Sequence, residues 1–529
     1  MRGQSGRGEL VLGALGCGLL GALLYAPAAA SGRLADDWVL LRTVRRVTGV
    51  AWPFIHNDLG QATGSGHFYR PLWVLLNAAI YNLSHSPTFA HVVNIVLFAI
   101  VCAEVALLVG RIAGLRAAVI AGASVAVFPS HGESVAWISG NTDLLAVALG
   151  LAAILVALVA RPSLRRNVGI AVLTALAALA KEIASVLPVL MALLLWATAS
   201  GARPRAFWRP ALLMLAAVVV VLIPRTLVIG GIGGYGGQPL TPARVGGAFA
   251  SFTLAGLSAP QLMLLTHPVL LLVPACALVL LVAGAYLAWR ARAESTGRLA
   301  IAGVAWFLIA LVPSLNQPLN LNTRNGDRLL LLPSVGLAIA AGALVGRTRR
   351  RSVIGAWGVV AALCAVSCVL SALDWRTAGA ESRRLLAEID RLAPPGGHVI
   401  ALSFPTDYRA AHLYPDALDV AVQETGHPHV TLDGCMPVQS LSIRSNQVSF
   451  VPLPGGLWFG QTTTRAPFEV PVLGSAAPPS SGACLSGEAP GQPDETLGTA
   501  LKAFDAPSSR AGAGTILVYF DGRDMRRAP

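Results

Sequence analysis

The sequence predicts a polytopic α-helical membrane protein with about eleven transmembrane helices, followed by a small α/β or β-rich domain outside the membrane. Of its 529 residues, 55% are hydrophobic and only 12% are charged, whereas soluble domains carry about 25% charged residues. Long uncharged runs recur up to residue 373, and several reach the ~20 residues that cross a hydrocarbon core. Beyond residue 373 the chain becomes polar, and sixteen of its 26 acidic residues lie there.

Eleven apolar runs define the membrane domain, which we assign to residues 1–372 with a first outer loop at residues 31–90. The first run is interpreted as a retained helix, although residues 27–32 resemble a signal-peptide cleavage site. Residues 243–265 form a twelfth apolar stretch. We expect it to lie on or dip into the outer face, because a crossing there would place the arginines at 347–351 outside. The eleven runs are 10–30, 91–109, 117–128, 144–160, 168–180, 183–199, 211–223, 267–288, 299–313, 329–345 and 352–373.

Arginine placement predicts the orientation of the chain in the plasma membrane. The connections on one side are short and basic, which is typical of cytoplasmic loops. We therefore expect a multi-pass protein with its N-terminus in the cytoplasm and its C-terminal domain extracytoplasmic. The formal net charge of +13 then reflects loops that flank the membrane, and it does not indicate nucleic-acid binding. The basic segments are 2–7, 111–116, 161–166, 203–209, 290–298 and 347–351.

Acidic residues are rare in the membrane domain and concentrate on one side of it. Residues 1–372 contain ten, and in the predicted topology seven of them lie at the outer face, spread over four loops. Charges near hydrocarbon are costly and tend to mark functional sites. The seven therefore predict a chamber at the outer end of the helix bundle. They are Asp36, Asp37, Asp58, Glu133, Asp143, Glu182 and Asp327.

Several of these acidic residues also have a simpler structural explanation. Asp36 or Asp37 precedes an amphipathic helix and would serve as its N-cap, although a cap requires only one of the two. Asp143 would cap the helix that follows it. Lys181 and Glu182 interrupt two apolar runs and would form an ion pair in a helical hairpin.

The sequence supports neither a metal site nor a nucleotide site. His131 and Glu133 would solvate a turn, or would face a metal together if their segment were extended, but no third ligand lies nearby. A divalent metal is therefore not supported. The motifs HExxH, CxxC and GxxxxGK[ST] are absent. An activated substrate would have to arrive without a nucleotide-binding loop.

Residues 373–529 are predicted to form the extracytoplasmic domain. Short apolar runs separated by Pro/Gly/Ser-rich turns indicate strands. Cys435 and Cys484 are the two cysteines of this segment, and an oxidising compartment favours a disulfide between them. The strand-like runs are HVIALSF (398–404), QVSFVPL (447–453) and TILVYFDG (515–522).

Four motifs occur in order along the membrane domain: the Asp36-Asp37 pair, FYRPLWVLLNAAIY (68–81), FPSHGESVAWISGNTDLLA (128–146) and NGDRLLLLPSVG (325–336). Together they resemble those of the membrane glycosyltransferases of the GT-C class. The resemblance is greatest to the O-mannosyltransferase branch of transmembrane proteins that carry TPR repeats, with their bacterial relatives. The third motif matches that family's HP-x-H-x-E-AVAWI-x-GR-x-DLL pattern, with Asn141 in place of the arginine. The fourth matches [DE]R-x-LYLPS-x-G, with Leu331 in place of the tyrosine. The family's repeats are not found after residue 373, so acceptor roles that depend on repeats are not implied.

The resemblance implies transfer of a sugar, mannose or another hexose, from a polyprenyl phosphate to an acceptor hydroxyl at the outer face. Inversion at the anomeric carbon requires a carboxylate that deprotonates the hydroxyl, and the resemblance implies this role for Asp36 or Asp37. Arg70 and Arg328, with Arg324 as a further candidate, would bind the donor phosphate, because guanidinium groups match phosphate oxygens in two-point contacts. The sugar or acceptor pocket would include His131, Glu133, Asp58, Asn141 and Tyr69.

Two other classes of protein fit the same composition. A lipid-linked-sugar transporter or flippase would bind the headgroup without chemistry, but such folds show repeated halves with broken helices at the midplane. No internal repeat is visible in this sequence. A non-catalytic membrane scaffold with an external binding domain is the other alternative. The expected partners of a transferase are the bilayer, the polyprenyl-phosphate-linked sugar and an acceptor protein, glycan or lipid.

Overall fold

A computed structural model describes most of the membrane domain and parts of the C-terminal segment. The described residues are 2–56, 66–199, 205–231, 234–235, 241–256, 294–315, 319, 324–393, 398–401, 404–414, 417–425, 432–434, 438–440, 448–453, 457–463, 499–504, 515–520 and 523–527. Asp58, Cys435, Cys484 and the apolar run 267–288 lie outside them. The predicted roles of these three residues and the predicted number of crossings therefore stay predictions.

The membrane domain is built from apolar helices, as the sequence predicts. Within the described residues, seven helical segments are long and apolar enough to cross a membrane by length and composition, and three shorter apolar helices accompany them. The helices are α1 (Arg2–Tyr25), α2 (Asp37–Arg45), α3 (Trp52–Ile55), α4 (Pro71–Leu83), α5 (Pro87–Ala113), α6 (Leu115–Ala126), α7 (Gly132–Ala136), α8 (Asn141–Val159), α9 (Leu164–Ala180), α10 (Leu187–Thr198), α11 (Arg209–Ile229), α12 (Pro242–Gly256), α13 (Ser295–Leu311), α14 (Leu331–Arg347), α15 (Arg351–Leu392) and α16 (Leu418–Glu424).

Small residues allow α13 and α14 to pack closely. A Cβ added at Gly303 would lie 2.5 Å from the Gly336 carbonyl oxygen and 2.7 Å from the backbone nitrogen of Ala340. Apolar helices in a membrane gain association energy from such close contacts, which small residues permit. Trp306 fixes the same pair of helices, because its Nε1 donates a hydrogen bond to the Leu332 carbonyl at 2.9 Å. This contact holds the first turn of α14 in place, directly after the 3-10 turn Asp327–Leu330.

The helix α15 is continuous over 42 residues. At 1.5 Å per residue it extends about 60 Å, roughly twice the thickness of a hydrocarbon core. The predicted domain boundary at residue 372 falls within this helix, and its last turns pack against strands of the C-terminal segment. The division into two domains stays a prediction.

The C-terminal segment contains the predicted strands. In one sheet the order is β12-β11-β3-β6, with β11, β3 and β6 parallel and β12 antiparallel. Two three-stranded sheets have the orders β5-β4-β7 and β10-β9-β8. A two-stranded pair, β1 with β2, lies in the membrane domain. The strands are β1 (Gly66–His67), β2 (Gly234–Tyr235), β3 (His398–Ala401), β4 (Phe404–Tyr408), β5 (Ala411–His412), β6 (Leu432–Gly434), β7 (Val438–Ser440), β8 (Val448–Leu453), β9 (Leu457–Thr463), β10 (Thr499–Phe504), β11 (Thr515–Phe520) and β12 (Met525–Arg527).

One end of the helix bundle gathers short, irregular elements, and we call this end the mouth. It is formed by residues 31–45, 129–140, 324–330, 404–414 and 417–425, whose contacts are described below. The described half of the twelfth apolar stretch forms α12, and its carbonyl at Ala255 accepts a hydrogen bond from Ser130 Oγ at 3.1 Å. That part of the stretch therefore lies against the mouth.

Candidate active site

The segment 129–143 forms the centre of the mouth. The backbone is extended at Phe128 and Trp137 and non-helical at Ser130, so the chain passes through a 3-10 turn, the short helix α7 and a second 3-10 turn before α8 begins. A Cβ at Gly140 would overlap the Glu133 carbonyl oxygen. Glycine is therefore required at position 140, where the second 3-10 turn passes against α7. Every residue of the segment is buried, so its polar side chains must find partners within the protein.

Asp37 connects the first loop to this segment. Its Oδ1 accepts hydrogen bonds from the Ser139 backbone N–H at 2.8 Å and from the Ser139 hydroxyl at 2.7 Å. Its Oδ2 accepts from the Leu34 N–H at 3.0 Å. Burial raises the pKa of Asp37 to about 7, although these three hydrogen bonds favour the carboxylate and oppose the rise. Both carboxylate oxygens are therefore committed to holding the loop.

Asp36 has different surroundings from Asp37, although the two are adjacent. Its side chain is half-buried, whereas Asp37 is 3% exposed. Asp36 occupies the N-cap position of α2 but makes no capping hydrogen bond, so the structure gives no support to a capping role. Ala35 precedes it with a φ of +47°, which turns the chain sharply before α2. The two adjacent carboxylates therefore differ in burial and in their contacts.

Arg70 lies at the start of α4, between an aromatic ring and a carboxylate. Its guanidinium carbon is 4.3 Å from the centre of the Phe68 ring. Nε and one terminal nitrogen donate to the two oxygens of Glu182, at 3.1 and 2.5 Å. Arg225 of α11 lies 3.9 Å from the same carboxylate and is 5% exposed. Two cations around one anion leave an excess of positive charge at this point.

Arg225 is not among the residues predicted from the sequence. The available signal was one arginine in the interior of an otherwise apolar helix, which marks a functional or paired position because an unpaired charge there is costly. The interpretation of Lys181 and Glu182 as one ion pair is wrong. Lys181 pairs instead with Asp143 at 2.5 Å, both fully buried, while Glu182 pairs with the two arginines. Asp143 is therefore half of a buried ion pair.

Glu133 lies at the centre of a second charged cluster. Its Oε2 accepts hydrogen bonds from the backbone N–H groups of Gly326 and Arg328, at 3.0 and 2.9 Å. Its Oε1 contacts the Arg328 guanidinium and lies 3.3 Å from His412 Nε2. Burial alone would raise the pKa of Glu133, but Arg328 and His412 outweigh burial and lower it to about 2. Glu133 is therefore a carboxylate that organises the 326–328 turn.

His412 belongs to the C-terminal segment and reaches into this cluster. Its ring makes edge-on contacts with Trp137 and Trp375, with ring centres 5.7 Å apart in both cases. Arg328 also lies over the Trp137 ring, with its guanidinium carbon 5.1 Å from the ring centre. The sequence offered no signal for His412 at this place, because Glu133 is 279 residues away along the chain.

Two other predicted site residues, His131 and Arg324, are buried and bound to partners within the protein. His131 is fully buried, its Nε2 lies 2.9 Å from Ser334 Oγ, and burial lowers its pKa to about 3. It is therefore a neutral side chain between helices. Arg324 is 1% exposed and pairs through Nε with Asp327 at 2.8 Å. Its terminal nitrogen donates to Ser130 Oγ at 2.7 Å.

Asn141 and Tyr69 complete the set of predicted residues that the structure describes. The Asn141 side chain donates to Asn77 Oδ1 at 3.0 Å and accepts from Asn77 Nδ2 at 3.2 Å and from the Trp73 indole N–H. It thereby joins α8 to α4. Tyr69 is 2% exposed, and its hydroxyl donates to the Phe54 carbonyl at 3.3 Å. Burial raises the pKa of Tyr69, which favours the protonated donor.

The described residues contain no group of three or more His, Cys, Asp and Glu side chains placed to hold a metal ion. The charged groups in and beside the mouth pair with one another. Arg70 and Arg225 pair with Glu182, Arg328 and His412 with Glu133, and Lys181 with Asp143.

Comparison with known proteins gives limited similarity. No protein-family model matches the chain, and no curated protein matches it. The solved structures that show a partial likeness to the chain include two oligosaccharyltransferases. One is the archaeal oligosaccharyltransferase AglB from Archaeoglobus fulgidus in complex with an inhibitory peptide and a dolichol-phosphate, with 11% identity and a TM-score of 0.40 over 79% of this chain and 64% of that one. The other is the Archaeoglobus fulgidus oligosaccharyltransferase in complex with Zn and sulfate, with 12% identity and a TM-score of 0.37 over 80% and 62%. The chain spans less than two thirds of each, and at such low TM-scores neither likeness identifies its activity.

Proposed function

We propose that the protein is a membrane glycosyltransferase of the GT-C type, which transfers a hexose from a polyprenyl phosphate to an acceptor hydroxyl at the mouth. One observation carries the proposal. The three other motifs that resemble this class all attach to the 128–146 motif: Asp37 through Ser139, Arg328 through Glu133, and the Arg70 helix α4 through Asn141. A carboxylate pair, a cationic cluster at Arg70 and a cationic turn at Arg328 are therefore held by one buried segment.

The reaction needs a base and a cationic site for the leaving group. The acceptor oxygen attacks the anomeric carbon, and the bond from that carbon to the phosphate oxygen breaks. The electron pair leaves with the polyprenyl phosphate, and the hydroxyl proton passes to a carboxylate. We assign the proton to Asp36, because three hydrogen bonds already occupy the two oxygens of Asp37. Asp37 then positions the turn that carries the base.

Charge on the leaving phosphate grows as the bond breaks, and fixed cations stabilise it. Arg70 and Arg225 suit this role, because Glu182 orients both guanidinium groups without neutralising their combined charge. Arg328 is the second candidate, held by Glu133 and stacked on Trp137. Arg324 is buried in its own ion pair with Asp327, and we assign it to holding the loop.

The substrates follow from the same proposal. The donor is a sugar on a polyprenyl phosphate that reaches the mouth through the bilayer, and mannose is the sugar that the sequence resemblance favours. The acceptor is a hydroxyl of a protein, a glycan or a lipid outside the membrane. The location is the plasma membrane, with the mouth facing outwards.

The proposal is tested with purified protein in proteoliposomes that contain polyprenyl-phosphate [¹⁴C]mannose and extracts of cell-envelope acceptors. We expect labelled product together with released polyprenyl phosphate. The Asp36→Asn variant should lose this activity, whereas the Glu381→Gln variant, which removes a carboxylate on the outer part of α15, should retain it. Translocation of intact donor lipid without product would show a flippase, and neither product nor translocation with any hexose donor would overturn the proposal.

A further inference from the structure

The helix α2, which begins at Asp37, is contacted at both of its ends by the C-terminal segment. At its beginning, the Ala35 N–H donates to the Leu413 carbonyl at 2.7 Å. Towards its end, Arg42 donates to the Gln423 side chain at 2.6 Å. The Glu424 carboxylate lies 3.6 Å from Arg42 and also pairs with Arg45. Residues 404–414 and 417–425, which we call the brace, thus span the whole length of α2.

The brace is in turn fixed to the rigid helix α15. Arg409 pairs with Asp374 at 3.0 Å, and the hydroxyls of Tyr414 and Ser382 share a hydrogen bond of 2.5 Å. The two contacts lie about two helical turns apart on α15, so the brace cannot rotate freely about either one. His412 adds a third point, in contact with Glu133 of the central segment. The brace is therefore a fixed platform beside α2.

The helix α2 needs such support. It has nine residues, fewer than the ~12–15 that an isolated helix requires to be stable in water. The residue before Asp36 is an alanine in the left-handed region, which is unfavourable for a residue with a Cβ and persists only where the surroundings enforce it. The hydrogen bond from Ala35 to Leu413 is one of these enforcing contacts. The position of the Asp36 carboxylate thus depends on the brace.

We propose that the brace is a positioning element of the active site, which fixes α2 and thereby holds the Asp36 carboxylate in its working position. Glu424 is the positioning residue chosen for substitution, because its carboxylate contacts both Arg42 and Arg45 of α2. The inference rests on the proposed function for the role of Asp36. It assigns no catalytic step to the C-terminal segment.

A charge reversal in the full-length protein tests the inference. Glu424→Arg removes the anion between Arg42 and Arg45 and introduces a third cation there, so like charges repel α16 from α2. The double variant Glu424→Arg, Arg45→Glu restores an ion pair of opposite polarity. Arg384→Gln is the matched control, because Arg384 joins α15 to Asp524 and Arg523 of the C-terminal segment without touching α2.

Two measurements are made on each variant: amide hydrogen exchange of residues 35–45, and sugar transfer with donor binding measured separately. For Glu424→Arg we expect exchange in residues 35–45 to rise by about tenfold or more. Turnover should fall by roughly 10- to 100-fold, because small displacements of reacting groups cost that much, while donor affinity is unchanged. The double variant should recover both properties, and Arg384→Gln should change neither.

Unchanged exchange and turnover in Glu424→Arg would overturn the inference while leaving the proposed function intact. An equal loss in Glu424→Arg, the double variant and Arg384→Gln would also overturn it, since that pattern indicates general loss of stability. If the wild-type protein transfers no sugar, the proposed function fails. Hydrogen exchange then still decides whether the brace fixes α2.

Discussion

Asp36 and Asp37 are adjacent in sequence, and the structure predicts that replacing each with asparagine has a different consequence. Asp37→Asn retains one oxygen for Ser139 but turns an N–H₂ group towards the Leu34 N–H. One hydrogen bond to a charged group is lost, and a buried donor is left without an acceptor, at a combined cost of about 3 kcal/mol in unfolding free energy. Asp36→Asn breaks no capping hydrogen bond and changes a half-buried side chain, so it should lower the unfolding free energy by less than Asp37→Asn does.

The rate of sugar transfer should show the opposite order of effects, with the larger loss in Asp36→Asn. If Asp36 accepts the acceptor proton, Asp36→Asn should lower the rate of sugar transfer by roughly 10²- to 10⁴-fold while donor lipid still binds. The assay combines thermal or denaturant unfolding in detergent with transfer of labelled sugar in proteoliposomes. Near-normal transfer by the Asp36→Asn, Asp37→Asn double variant would refute the mechanism. Full stability of Asp37→Asn with complete loss of transfer would show instead that Asp37 is the base.

Three further predictions concern the rest of the mouth. Because the pKa of Glu133 is about 2 in the folded protein and 4.5 for an unperturbed glutamate, its contribution to stability is complete above pH 4.5 and lost as the pH falls towards 2. As the pH falls from 4.5 to about 2, the unfolding free energy of the wild-type protein should therefore decrease by about 3 kcal/mol more than that of the Glu133→Gln variant. Unfolding of both proteins across this pH range measures the difference. Arg225→Gln and Arg70→Gln should both weaken donor binding, whereas Arg324→Gln should lower stability and leave donor affinity unchanged. Titration with the donor lipid measures the three affinities. Equal affinities would contradict the assignment of Arg70 and Arg225 to the phosphate. Gly140→Ala places a methyl group against the Glu133 carbonyl oxygen and should cost about 1–3 kcal/mol, measurable by unfolding; a stability equal to wild type would show that the second 3-10 turn does not pass tightly against α7.

Composition and hydropathy were sufficient to predict the helical architecture and the C-terminal strands, because both depend on local periodicity along the chain. The runs at 398–404, 447–453 and 515–522 contain β3, β8 and β11 as expected. The 128–146 stretch was also recognisable as an unusual group of polar residues between apolar helices. Local patterns of this kind survive into the structure because each helix or strand buries its own apolar face.

Partnerships between distant residues could not be predicted in the same way. Glu182 follows Lys181 directly, yet the two pair with Arg70 and Asp143 respectively. Periodicity shows which face of a helix is apolar, but it does not show which helix lies opposite. Arg225 and His412 were missed for this reason. Each acquires a role only when α11 or β5 is placed beside a carboxylate that lies far away in sequence.

The continuous helix α15 has a consequence for length variation in this protein. Asp374 and Ser382, the two anchors of the brace, lie in the second half of one continuous helix that begins at Arg351. Each residue inserted before Asp374 lifts both anchors by 1.5 Å and turns them by about 100°. A single insertion would therefore turn the anchors away from the brace, whereas seven residues would return them to nearly the same face about 10 Å higher. Changes in the length of α15 before Asp374 are therefore limited mainly by the direction in which the two anchors point. Their height along the helix axis is the weaker restriction.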